Sequence, residues 1–162
     1  MIRIRLHIVA IVLFIIGFYA CMPEEECRTD MHVAMNVALQ ADSIGINGQQ
    51  YPYTSWDSIS VQPIGHDSIP YDNAKNVTAL ALSLRPNANT TSFALLYHEV
   101  WDTLHIEHQN NEVFINMACG CVIYATIDTV YHTQHWIDSV AIVNSHIERG
   151  KEKNLILYVH EQ

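Results

Sequence analysis

Four cysteines and ten histidines are the side chains best able to do covalent or metal chemistry, so their spacing is weighed first. Cys21 closes the run MIRIRLHIVAIVLFIIGFYAC, and a cysteine at the end of an apolar export segment can take a thioether-linked diacylglyceryl group. The remaining Cys27, Cys119 and Cys121 are odd in number, so at most one internal disulfide forms and one thiol is left over. Cys119 and Cys121 flank a single glycine, and a ring that small is strained, so the expected bond joins Cys27 to one of the two. The Cys119-Gly120-Cys121 spacing is also one residue short of the usual redox pair.

The histidines include two pairs three residues apart, His105/His108 and His132/His135. On a strand, positions three apart point to opposite faces, so His105 and His108 are expected to be structural. His132 and His135 fall in a predicted loop, where a zinc or copper ion is the weak candidate ligand and His146 or Cys121 the candidate third donor. No cofactor is expected. Motifs for an activated serine, a zinc protease or a phosphate-cradling loop are absent from the sequence, and Glu107 and Glu112 have nothing beyond their presence to make them an acid–base pair. Tyr51, Tyr53 and Trp56 crowd one loop, with Trp101 and Trp136 at comparable junctions. Exposed rings of this kind stack on sugars, whereas buried ones cap the end of a sandwich core.

An Asp-Ser/Thr-apolar tripeptide recurs at Asp42, Asp57, Asp67, Asp102, Asp128 and Asp138. Short polar side chains that bond nearby amides as the chain leaves a turn explain it locally. Calcium is the sharper alternative, although the chain has no D-x-D-x-D-G run.

These residues must be positioned by elements that the hydropathy pattern predicts. Arg3 and Arg5 precede the apolar stretch Ile8 to Phe18, which has the length of a secretory signal. Phe18-Tyr19-Ala20-Cys21 fits cleavage before a lipidated cysteine better than ordinary signal peptidase, which prefers a small residue where Phe18 stands. Residues 1–20 are therefore read as a lipoprotein signal peptide and residues 21–30, with Glu24, Glu25 and Glu26, as an acidic tether. About 130 residues then remain, enough for one domain with its own core, taken as residues 31–162. The net charge of −9, more acidic once Arg3 and Arg5 are removed, argues against nucleic acid or anionic lipid as a partner.

Alternation of apolar and polar residues predicts strands from Met31 to Leu39 and from Ser58 to Gln62. Residues 63–76 read as a connection and residues 78–98 as a hairpin turning at Arg85 to Thr90. A second hairpin is expected to turn at Asn110-Asn111, followed by a strand at Val122 to Thr126 and a loop at Tyr131 to Trp136. Strands at Val140 to Asn144 and Leu155 to Val159 complete an all-β reading. About eight short strands separated by turns favour an antiparallel β-sandwich, immunoglobulin-like or similar, over a barrel.

Leu80-x-Leu82-x-Leu84, Asn89-Thr90-Thr91-x-Phe93, Asp102-Thr103-Leu104-x-Ile106, Ala118-Cys119-Gly120 and Ile137-Asp138-Ser139-Val140, in that order, resemble an uncharacterised family of Bacteroidetes lipoproteins, domain of unknown function 6452. The resemblance spans most of residues 27–160. It implies a disulfide between Cys27 and Cys119, with Cys121 as the alternative partner. It also implies that Glu24 to Glu26 form an export signal for surface display. The family has no assigned activity.

The expectation is thus an envelope lipoprotein, held in the outer membrane by a lipid on Cys21 and facing the periplasm or the cell surface. Its domain is read as a non-catalytic binding or structural module with a protein or glycan partner. The alternative is a metal-dependent or hydrolytic extracytoplasmic enzyme using the loop histidines.

Overall fold

The computed structural model describes residues 33–41 and 55–159, and every regular element among them is a strand. Ten strands follow in chain order: β1 (Met35–Ala41), β2 (Ile59–Pro63), β3 (Tyr71–Ala74), β4 (Ala79–Leu82), β5 (Thr90–Tyr97), β6 (Val100–Asn116), β7 (Gly120–His132), β8 (Ile137–Ile142), β9 (His146–Ile147) and β10 (Leu155–Val159). They form two sheets, ordered β4-β1-β10-β8 and β3-β2-β5-β6-β7-β9. The all-β sandwich expected from the alternation is what the chain adopts, with two more strands than were anticipated.

Period-two alternation builds the core. Leu80 and Leu82 on β4, Phe93 and Leu95 on β5, and Leu104 and Ile106 on β6 are buried while their neighbours turn outward. They meet Met35, Val37 and Leu39 from β1 and Leu155, Leu157 and Val159 from β10 in one cluster. Each such fully buried side chain contributes roughly 1.5–3 kcal/mol relative to exposure. Strand β1 lies between β4 and β10, and Ala38 and Gln40 are buried along with its core face, which is why its alternation is blurred in the sequence. It pairs parallel with β10, from Val37 opposite Leu155 to Ala41 opposite Val159, and the other strand pairs are antiparallel. Parallel neighbours need a long crossover. Here nearly the whole domain lies between them.

Several local expectations change. Residues 78–98 are not a hairpin, because β4 joins the smaller sheet and β5 the larger one. Alternation shows that each strand has an inward face; it does not say which sheet completes that face. Asn110-Asn111 is not a turn either: both residues continue β6, opposite Ala125 and Tyr124 of β7, and the chain reverses beyond Asn116. The stretch 63–76 contains β3, paired with β2, and Tyr131 and His132 belong to β7.

Two backbone features shape the larger sheet. The β5–β6 turn is His98-Glu99, both at positive φ, 45° and 65°, the backbone of a two-residue hairpin turn for which Asn-Gly is the usual sequence. Stacking of His98 on Tyr97, with centroids 4.0 Å apart, offsets part of the cost of left-handed non-glycine residues. Opposite β6, the register shifts between Glu107–Thr129 and His108–Ile127, so Asp128 is an extra residue, a bulge that re-aims the rest of the hairpin.

Candidate functional site

Polar side chains with unusual surroundings gather at one end of the sandwich, around the β5–β6 turn and the β7–β8 loop. Asp102 lies on the inward face of β6 and is only 1% exposed. Its carboxylate accepts hydrogen bonds from the backbone N–H of Trp136 at 2.8 Å, of Ile137 at 2.9 Å and of His135 at 3.1 Å. The Thr133 hydroxyl donates at 2.5 Å and His135 Nδ1 at 2.9 Å. Burial pushes this carboxyl up, but the bonds from Thr133, Trp136, Ile137 and His135 together outweigh it and hold the group below the usual carboxylate range. An ionised carboxylate so placed acts as a bolt that fixes the β7–β8 loop. Local bonding of the Asp-Ser/Thr tripeptides does not describe it, since Asp102 bonds residues more than thirty positions away.

The ring of His135 that bonds Asp102 faces outward, with the His135 side chain 59% exposed. His132 sits at the end of β7, its Nδ1 bonded to the Thr133 carbonyl at 3.0 Å. His146 pairs with the middle of β7 and contacts Thr126 Oγ1 at 3.4 Å. Cys121 is at the other end of β7 from His132, roughly 35 Å away at the rise of a strand. His146 and Cys121 are thus not brought to the loop histidines. No group of three or more His, Cys, Asp or Glu arranged to hold a metal occurs among the described residues.

The aromatic rings at this end pack inward. Trp56 is 5% exposed and Trp136 2%; Trp56 meets the edge of Tyr97 at 4.1 Å and lies 5.6 Å from Trp136. Trp56 is therefore a cap on the core rather than a platform for a sugar, and Tyr51 and Tyr53 lie outside the described residues. Trp101 and Tyr131 are half exposed here, at 49% and 54%.

At the opposite end a polar chain holds the base of the β6–β7 hairpin. The Arg85 N–H donates to Thr91 Oγ1 at 2.9 Å, and that hydroxyl is 2.8 Å from His108 Nε2. His108 Nδ1 donates to Asn110 Oδ1 at 3.1 Å. The Asn110 amide in turn donates to the carbonyls of Arg85, Pro86 and Ala88 at 2.8–3.0 Å. With Nδ1 as donor, a neutral ring accepts at Nε2 from the Thr91 hydroxyl. Burial pushes His108 below its ordinary value, against the pull of Asn110 and Asp128. His105, on the outward face, bonds Ser92 Oγ instead, as its spacing from His108 predicts.

Beyond this clasp the hairpin overhangs. Strand β5 begins at Thr90, opposite Glu107, so β6 continues past it to Asn116 with only β7 beside it on that stretch. At its tip Phe114 is 59% and Met117 93% exposed. Asn116 Oδ1 accepts from the amides of Ala118 and Cys119 and shapes the reversal, and Gly120 follows at φ 72°. Cys121 is an exposed free thiol, pushed up by its hydrogen bond to Glu112. Cys21 and Cys27 lie outside the described residues. A groove of about 340 Å³ on this hairpin is lined by Cys121, Ile123 and Ile147 and by Val33 and Leu84, which flank β1 and β4.

Asp102, Asn110 and Asn154 are the organising polar residues that sequence reasoning missed. Asn154 is buried; its side chain donates to the carbonyls of Asn144 and His146 and accepts from the Asn36 amide. The single available signal was a polar residue at an inward position of an alternating run, as at Asp102 before Leu104 and Ile106.

Neither a curated protein nor a solved structure matches the chain. A profile described as a family of unknown function (DUF6452) matches residues 58–159, from β2 to the end of β10. That span includes Asp102, Asn110 and Cys119 and is well over half of the 162 residues. The chain belongs to the family of unknown function DUF6452.

Proposed function

We propose that this protein is an envelope lipoprotein of the Bacteroidetes type, anchored in the outer membrane by a lipid on Cys21, whose sandwich is a non-catalytic binding or structural module. The observation that carries the non-catalytic reading is the state of Asp102. The carboxylate–histidine pair most like catalytic machinery has its carboxylate committed to three backbone amides and a threonine hydroxyl, a loop-fixing role. The apolar run ending at Cys21 and the carboxylates at Glu24 to Glu26 support the anchor and the tether. The module's partner is an envelope protein or glycan on the periplasmic or outer face, and its acidity disfavours nucleic acid.

A Cys27–Cys119 disulfide completes the proposal. It is supported by Cys121 being the free thiol while Cys119 has a bonding partner. The test is expression of the full chain in a lipoprotein-processing bacterium and mass spectrometry of wild type and Cys21→Ala. Wild type is expected to yield an acylated peptide beginning at Cys21, and an unmodified one would overturn the anchor. Non-reducing peptide mapping is expected to link Cys27 to Cys119; a link to Cys121 would reassign the bond. Protease shaving of intact cells then separates the two faces of the membrane.

A further inference from the structure

We propose that the β6–β7 hairpin end is the membrane-facing end of the domain, with its tip seated at the headgroup level of the bilayer that holds the anchor. This rests on the lipid anchor proposed above.

From Gln109 to Thr126 the sole charged residue is Glu112, and while Val122 and Ala125 turn inward and are buried, the outer face and the tip of the hairpin are not. Phe114, Met117 and Ile123 present their side chains to the outside at 59%, 93% and 36%. Scattered exposed apolar residues are ordinary; a projecting tip of them with almost no charge needs an apolar neighbour. Ile142 and Val143 are also exposed and share this end, since Ile142 pairs with Leu155 and Leu155 with Val37.

The tethered chain meets the fold at this same end. Val33 lines the same groove as Cys121 and Ile123, so the path from the anchor arrives at the hairpin, not at the aromatic end. Eleven residues, Met22 to His32, separate Cys21 from Val33, a reach of at most roughly 40 Å. With the aromatic end towards the membrane, that tether would have to run nearly fully extended along the roughly 33 Å of strand from Asn110 to Val100. With the hairpin towards the membrane it need not stretch. A Cys27–Cys119 bond would place the hairpin turn six residues from the anchor.

The protein is strongly acidic, but the loop beside the hairpin carries Arg149, Lys151 and Lys153 among Glu148 and Glu152. Arg149 Nε donates to the Tyr124 hydroxyl of β7 at 2.9 Å, and the Gly150 carbonyl accepts from Asn36 at 3.2 Å. Arg149 held against the hairpin, with Lys151 and Lys153 in the same loop, suits lipid phosphates, and the apolar tip suits the boundary beneath them.

The free Cys121 thiol supplies a native probe. Full-length acylated protein in phosphatidylcholine vesicles is labelled at Cys121 with an environment-sensitive fluorophore, and quenching by lipids bearing a nitroxide high on the acyl chain is measured. Strong quenching is expected at Cys121, and little from a probe at Trp101→Cys in a Cys121→Ser background. Phe114→Ser with Met117→Ser should reduce Cys121 quenching towards the Trp101→Cys level. Flotation of each sample reports the anchor independently. Protein that floats with Cys121 unquenched overturns the inference alone, and protein that does not float overturns the anchor and the inference with it. Cross-linking of two copies through Cys121 without lipid quenching assigns the tip to self-association and also overturns it.

Discussion

The two ends of this sandwich resolve the same problem, a chain reversal beyond the core, in opposite ways. Around Asp102 a buried charge gathers a loop against the core and three aromatic rings close over it. Around Asn110 a neutral amide clasps the 85–88 loop, and past the clasp the hairpin runs outward with Phe114 and Met117 exposed. A buried carboxylate is tolerable only when its lone pairs are satisfied, so the first end is rigidly specified. The hairpin buries Val122 on its inner face but leaves its outer face and tip exposed, so the second end keeps a surface for contact.

Removing the bolt is the largest expected break in this contrast. Asp102→Ala leaves buried amides of Trp136 and Ile137 without acceptors, and a loss of about 4 kcal/mol is expected, read by urea unfolding. The reactivity of Cys121 in the native state should not change with it. Asn110→Ala is expected to cost about 2 kcal/mol and, unlike the first variant, to loosen the 85–88 loop and raise amide exchange there.

The clasp should also respond to pH. His108 is held below its ordinary value by burial, so the unfolded chain binds the proton more readily than the fold does. Stability is then full above about pH 6.5 and declines as pH falls through that value towards the folded pKa. His108→Gln should flatten this part of the pH–stability curve. Asp102, whose pKa is also lowered, gives a separate loss confined to more acid pH, below about 4.

Smaller effects sharpen the comparison. Replacing the left-handed His98-Glu99 with Asn-Gly is expected to stabilise the protein by about 1 kcal/mol in thermal unfolding. Phe114→Ser with Met117→Ser should change unfolding free energy by no more than about 0.5 kcal/mol. A larger loss at the tip would mean that these side chains support the fold and are not free for contact.

Much of the architecture was legible one strand at a time. Leu80 and Leu82, Phe93 and Leu95, and Leu155 and Leu157 announce their inward faces by alternation, and all six are buried. The pairing was less legible. Arg85 to Thr90 has the composition of a hairpin turn, yet it carries the chain from one sheet to the other, held by Asn110 across the gap. Asn110-Asn111 has turn composition and continues a strand, because its partners on β7 and the loop carbonyls satisfy it there. His98-Glu99 lacks turn composition and makes the turn. Residues that act on distant backbone, such as Asp102 and Asn154, give no local signal of their partners; a polar residue at an inward position of an alternating run is all that marks Asp102.

By itself the sequence determined the class of fold, the inward faces of its strands and the opposite environments of His105 and His108, since these follow from a period-two backbone and the burial of apolar area. Tertiary structure alone decided which sheet each strand joins, the parallel pairing of β1 with β10, the burial of Asp102 and the overhang of the β6–β7 hairpin. Those depend on contacts between residues far apart in the chain, where satisfying a buried charge or amide outweighs any local preference.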